Sequence, residues 1–240
     1  MEKIINYLNI DKFAYVNDKI IKKPIKGIVV SFFSLNSKEM FDTDTLEGEY
    51  YAEKGILFVM PYNNPWAWMN RQAVSFTDEI LDVLIKEHNI SDSIPICTCG
   101  GSMGGQSALV YTAYAKRTPV LCVANCPVCD VLYHYSERKD LPRTLYSALF
   151  NEKVSFEEAL KSISAFYLAE KMPKISYRIF HCDADMSVNI KVHSERFVEK
   201  MKELGHDITL DVVPDRGHGK LTYSMWSKFV EYIVKTIETR

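Results

Sequence analysis

Apolar runs bounded by Gly, Pro, Asn or Asp recur along the chain at Gly27–Phe33, Gly55–Pro61, Ile94–Cys99, Pro119–Asn125, Tyr177–Cys182 and Ile208–Pro214. Runs of this length between turn-forming residues read as strands buried on both faces. The segments between them carry helical spacing instead, as in Val74, Ile80, Leu81, Leu84 and Ile85, or Phe197, Met201 and Leu204 with charges on the other side. A further helix is expected over Leu221–Thr239, where Trp226, Phe229, Val230, Ile233 and Ile237 share a face that would close one side of a sheet. This βαβα alternation predicts an α/β fold with a mostly parallel central sheet and helices on both faces. Phe13–Val16 reads as a short early strand, and the residues before it fit a small helix.

Residues 126–174 form a longer stretch than a simple crossover needs, rich in Tyr, Leu, Phe and charge. They are expected to form a small helical cap inserted into a single domain over residues 1–240, because no Gly/Ser-rich linker, low-complexity tract or internal repeat divides the chain.

Composition narrows the function classes. The 240 residues are 47% hydrophobic and 25% charged, enough for a sizeable core. With 29 basic and 31 acidic residues the formal charge is −2, which leaves no footprint for nucleic acid or an anionic membrane. Asn6, Asn9 and Asp11 interrupt the apolar run a signal peptide requires, and no stretch approaches the roughly 20 apolar residues of a membrane span. A cytoplasmic location is therefore expected, where the six cysteines stay as thiols. Cys126-Pro127-Val128-Cys129 has CxxC spacing but no second CxxC or His pair at zinc-finger spacing, so buried thiols are expected there rather than a metal site.

The strand ending at Cys99 runs into Gly100-Gly101-Ser102-Met103-Gly104-Gly105 and then a helix-compatible run, Gln106–Lys116. This is GxSxG in strand-turn-helix context, where small residues let strand and helix approach and leave the serine hydroxyl exposed at the sheet's carboxyl edge. The helix start favours negative charge on a carbonyl oxygen under attack, and the Met103 N–H is the expected first oxyanion donor. A serine hydroxyl needs an imidazole and an orienting anion to act at neutral pH. Of the six histidines, His218 lies in Pro214-Asp215-Arg216-Gly217-His218-Gly219, after the last strand and on the same sheet edge. His88, His134, His193 and His206 read as surface residues, and His181 as a hydrogen-bonded structural histidine. For the acid, Asp183 and Asp185 compete, each also able to cap the following helix, and Asp130 is a third candidate.

The order Ser102, Asp185, His218 resembles that of the α/β-hydrolase superfamily, from about Gly27 onward. His181-Cys182-Asp183-Ala184-Asp185-Met186-Ser187-Val188-Asn189 is similar to the superfamily's HGxxDxxVP pattern, with Cys182 for the glycine and Asn189 for the proline. The resemblance places the acid on Asp185. The C-terminal half looks most like the prolyl-oligopeptidase branch, which contains peptidases and carboxylesterases. The His-Gly that such proteins carry after the early strand is replaced here by Phe33-Ser34, so the resemblance implies a second oxyanion N–H from Ser34 or Leu35.

The loop Tyr62–Arg71 leaves from the same edge, and its Trp66 and Trp68 could either stack on substrate or pack against the cap. Tyr133, Tyr135, Phe150 and Tyr167 are candidates for the same pocket. The leading expectation is hydrolysis of a small carboxylic ester through an acyl-enzyme, with no metal or organic cofactor. The alternative is an exopeptidase or acylaminoacyl-peptidase-like activity on a short peptide, and a third reading is a non-catalytic binding protein of the same fold. Sequence pattern sets no oligomeric state.

Overall fold

A computed structural model describes residues 4–240, so Met1–Lys3 of the polar N-terminal stretch lie outside the described residues. All the expected strands form, in one seven-stranded sheet: β1 (Ala14–Val16), β2 (Gly27–Phe32), β3 (Ile56–Pro61), β4 (Ile96–Gly101), β5 (Leu121–Asn125), β6 (Ser176–Cys182) and β7 (Asp207–Val213). The spatial order is β1-β3-β2-β4-β5-β6-β7. Only β1 runs antiparallel to its neighbour, Ala14 pairing with Pro61; the other pairs are parallel. Parallel strands need crossovers that return over a face of the sheet, which is why the runs between them are helical.

The helices are α1 (Leu46–Glu53), α2 (Arg71–Glu87), α3 (Met103–Tyr114), α4 (Val131–Glu137), α5 (Pro142–Leu149), α6 (Phe156–Ser162), α7 (Ala165–Leu168), α8 (Arg196–Glu203) and α9 (Tyr223–Glu238). Ile80, Leu81 and Leu84 of α2, Leu109 of α3 and Phe197 and Met201 of α8 cover Ile28, Val30, Leu57, Ile96 and Ile179 on one face of the sheet. Tyr51 of α1 with Val230, Ile233, Val234 and Ile237 of α9 covers Val29, Phe58, Cys97 and Val123 on the other. The helix expected from the spacing of Phe197, Met201 and Leu204 is preceded by a π-helical turn, Lys191–Glu195, that feeds α8.

The last strand departs from expectation. Read as buried on both faces, β7 is the sheet's edge, and its Val212 is 43% exposed. Its sequence Asp207–Val213 alternates polar and apolar positions in a way the apolar-run criterion passes over.

Helices α4–α7 stand between β5 and β6 and enclose an apolar cluster of their own, in which Val131, Leu145, Leu149 and Leu160 meet Trp68 and Met103. Their inner surface thus rests on the start of α3 and on the loop after β3. Asn70 ties the two together: its side chain caps α2 at Ala73 N and donates to Ala148 O of α5 at 2.8 Å.

Candidate active site

Strand β4 runs two residues past its expected end because Gly100 and Gly101 still pair, with Phe32 and Asn125. The chain then turns into α3 at Ser102, whose backbone sits at φ 56°, ψ −124°. A residue with a side chain avoids this region, at a cost of roughly 1–3 kcal/mol, so the surroundings must hold it there. Backbone packing does so. A Cβ on Gly104 would lie 2.2 Å from Phe32 O, and one on Gly100 would lie 2.4 Å from Gly104 O. The two glycines of the motif are thus required by strand, turn and helix meeting backbone to backbone. The Ser102 N–H donates to Asn125 O at 2.9 Å and anchors the turn to β5.

The Ser102 hydroxyl donates to His218 Nε2 at 2.8 Å, and His218 Nδ1 donates to Asp185 Oδ2 at 2.6 Å. His218 lies on the loop between β7 and α9. That loop is held to the centre of the sheet because Asn125 Nδ2 donates to Gly219 O at 3.1 Å. Asp185 has no exposed side-chain surface. Its Oδ1 accepts the Ser187 and Val188 amides at 2.8 and 2.9 Å, while His181 Nε2 lies 3.4 Å from Oδ2. Burial works to raise its pKa, but the hydrogen bonds from His181, His218 and the two amides outweigh it and hold the carboxyl well below the usual range. Asp185 is therefore a buried anion facing the imidazole.

The competing acids are used elsewhere. Asp183 is exposed and accepts Asp215 N at 2.7 Å, bracing the His218 loop from outside. Asp130 caps α4 by accepting Tyr133 N at 2.9 Å. Geometry thus brings Ser102, His218 and Asp185 into one chain and leaves Asp183 and Asp130 out of it.

The model of the prolyl oligopeptidase family matches residues 67–235, a span that holds all three residues. The chain belongs to the prolyl oligopeptidase family. Among solved structures, it is similar to the acylaminoacyl peptidase of Pyrococcus horikoshii, at 14% identity and a TM-score of 0.70, over 92% of this chain and 38% of that one. It also resembles an S-formylglutathione hydrolase from Agrobacterium tumefaciens, at 21% identity and a TM-score of 0.68, over 95% and 88% of the two chains. Esterase 2 of Thermogutta terrifontis follows at 16% identity and a TM-score of 0.65, over 92% and 86%. At these identities the likeness establishes the α/β-hydrolase fold. The chain spans well under half the length of the acylaminoacyl peptidase, and most of the length of the other two enzymes. No curated protein matches it.

Met103 opens α3 directly after the Ser102 turn. Ser34 lies beside the turn, its hydroxyl donating to Gly101 O at 3.0 Å, and Leu35 packs against the α4–α7 cluster. The two tryptophans separate. Trp68 is 1% exposed, and its indole N–H donates to Thr144 Oγ1 at 3.2 Å. It is therefore packed beneath α5, the second of the two alternatives for this residue. Trp66 is partly exposed, with the Lys38 ammonium 5.7 Å from its ring, and lines a cavity of about 240 Å³ with Asn64, Asn70 and Phe76 that does not include Ser102 or His218. Of the aromatic residues expected at the pocket, Phe150 is exposed and Tyr135 packs edge-on against Phe156.

The histidines also depart from the surface reading, since His134, His193 and His206 are buried. His181 is fully buried and structural, as expected, bonded to Ser194 Oγ and Val188 O. His134 Nδ1 and His193 Nε2 lie 3.1 and 3.4 Å from one oxygen of Glu137. The sequence signal for this cluster was available, because His134 and Glu137 stand three apart on one face of α4. His193 Nδ1 accepts the Asp130 N–H at 3.2 Å, so its proton sits on Nε2 and points at Glu137. That tautomer suits a hydrogen bond and opposes metal ligation through Nε2.

Burial holds His134 down to about 4 and His193 down to about 3, against 6.5 for a free imidazole, with Arg138 and Arg196 adding repulsion. Between these values the unfolded chain binds protons that the folded chain refuses, so stability falls as pH falls. The unfolding free energy from urea titrations is expected to be flat near pH 7–8 and to drop between about pH 6.5 and 4, by up to about 3 kcal/mol for each of the two imidazoles because each pH unit carries about 1.4. A value that stays level across that window would show that the pair is not held neutral.

All six cysteines are buried and free. Burial pushes the Cys99 thiol up to about 12 and raises those of Cys126 and Cys129 as well. Cys126 Sγ accepts the Gly219 and Cys182 amides, each at 3.4 Å, which spends it on positioning the His218 loop. No helix among the described residues is long and apolar enough to cross a membrane.

Proposed function

We propose that the protein is a serine hydrolase that cleaves a small carboxylic ester. The observation that carries this reading is the hydrogen-bonded chain from Ser102 through His218 to the buried anion Asp185. Ser102 attacks the ester carbonyl while His218 Nε2 takes its proton; the alkoxide leaves with that proton, and water activated by the same imidazole then releases the acid. Asp185 keeps the proton of His218 on Nδ1 and stabilises the imidazolium. The Met103 N–H, with that of Ser34 or Leu35, receives the oxyanion. The carbonyl carbon changes partner twice and no redox step occurs, so the residues named account for every proton.

The intact chain of three groups argues against a purely binding role. Peptide hydrolysis is the second reading, favoured by membership of the prolyl oligopeptidase family and by the likeness to an acylaminoacyl peptidase. The α4–α7 segment is proposed as a cap on the substrate site, and the buried, unpaired thiols favour a cytoplasmic setting. A panel of p-nitrophenyl esters of rising acyl length beside aminoacyl p-nitroanilides, with Ser102→Ala as blank, separates the two activities. Ester turnover is expected to exceed anilide turnover at least 100-fold, a barrier difference of about 2.7 kcal/mol. Comparable rates on both, or turnover of anilides alone, would transfer the assignment to a peptidase.

A further inference from the structure

The third tryptophan, Trp226, lines a different cavity, whose wall adjoins Ser102 and His218 in sequence without including either. A cavity of about 610 Å³ lies on the α1 and α9 face of the sheet, its wall including Gly101, Asn125, Gly219, Tyr223, Trp226 and Phe229. It begins one residue from the nucleophile, at Gly101, and one from the base, at Gly219. A side chain on Gly219 would meet nothing within 4 Å, so the loop presents open space there rather than packing.

The side of Ser102 on which the cavity lies decides what it holds. Met103 and Ser34, placed at the oxyanion, line a separate narrow cleft with Trp68 and take no part in the cavity wall. The cavity is bounded by the residues that follow His218, and His218 is the group that hands its proton to the departing half of a substrate. Its wall is built for a flat group. Val230, Ile233, Val234 and Ile237 of α9 are buried, whereas Trp226 and Tyr223 at the start of the same helix are 37% and 83% exposed and stack on each other at 6.3 Å and 30°. Asn125 ties this wall to the site: its amide N–H is committed to Gly219 O and its backbone carbonyl accepts the Ser102 N–H.

We propose that this cavity is the leaving-group subsite, taking the alcohol or amine half of the substrate as an aromatic group that stacks on Trp226. The inference rests on the hydrolase reading above. Aromatic contact of this kind discriminates through acylation, because the leaving group has gone before deacylation begins.

The test compares methyl and 2-naphthyl esters of one acid, in wild type, Trp226→Ala and Trp226→Phe, with fluorophosphonate labelling of Ser102 run beside them. Trp226→Ala is expected to lower the naphthyl-to-methyl ratio of kcat/KM about 10-fold, an order of magnitude that one aromatic contact of roughly 1.4 kcal/mol supplies. Trp226→Phe is expected to restore most of it, and the single-turnover deacylation rate, common to both esters, is expected to stay at the wild-type value in both variants. A ratio that stays at the wild-type value, or an altered deacylation rate, would overturn the subsite while leaving the hydrolase standing. Absence of hydrolysis together with absence of labelling would overturn the hydrolase reading, and the subsite with it.

Discussion

Ser102→Ala is expected to abolish covalent labelling by a fluorophosphonate and to lower kcat on any ester the wild type cleaves on the order of 10⁶-fold, as loss of the nucleophile does in a serine protease. The folded state is expected to survive. Alanine at φ 56° carries the same backbone strain as serine, so the substitution removes none of the cost already met by the packing of Gly100 and Gly104. The hydroxyl's one described partner is His218 Nε2, and the His218 side chain is 28% exposed, so water can replace the lost bond. The urea midpoint should therefore move by less than about 1 kcal/mol. Equal labelling of wild type and variant would remove Ser102 from the role of nucleophile.

Asp185→Asn is the second large effect, a fall in kcat of about 10⁴ with KM little changed, the magnitude seen when an orienting aspartate becomes an amide. Asp185 offers two oxygens, one to the Ser187 and Val188 amides and one to His218 Nδ1–H. Asparagine keeps a single oxygen. If that oxygen stays with the two backbone donors, its NH₂ faces His218 and can only donate, so Nδ1 must become the acceptor. The proton then moves to Nε2, where it blocks transfer from Ser102. The measurement that identifies this cause is proton NMR, in which the far-downfield Nδ1 resonance of His218 should vanish. A variant that loses activity yet keeps that resonance would point to a different defect, and full activity in Asp185→Asn with loss in Asp183→Asn would move the acid.

The strands were legible because apolar runs closed by Gly, Pro, Asn and Asp allow few other structures, and each observed strand lies within two residues of its expected limits. Ser102 and His218 were legible for a related reason, since each stands in a glycine-flanked turn after a strand. What escaped depends on contacts distant in sequence. Trp66 and Trp68 look alike in a polar loop, and only the arrival of Thr144 on α5, 76 residues on, separates a buried indole from a partly exposed one. His193 lies on an amphipathic segment whose polar side suggested solvent, but Glu137, 56 residues away, turns that side into an interior contact. Trp226 shares the apolar spacing of α9 and was placed in the core with it, although the helix outruns the sheet at that end and leaves the ring uncovered.

Asn125 gives the site a common reference point. Its carbonyl holds the Ser102 turn and its side chain holds Gly219, so Ser102 and His218, 116 residues apart, are both fixed to the end of one central strand. The edge strand β7 can therefore fluctuate as edges do without carrying His218 away from Ser102. Alignment of the pair is inherited from the most protected part of the sheet, and the outer strand serves chiefly to bring the histidine loop within reach of it.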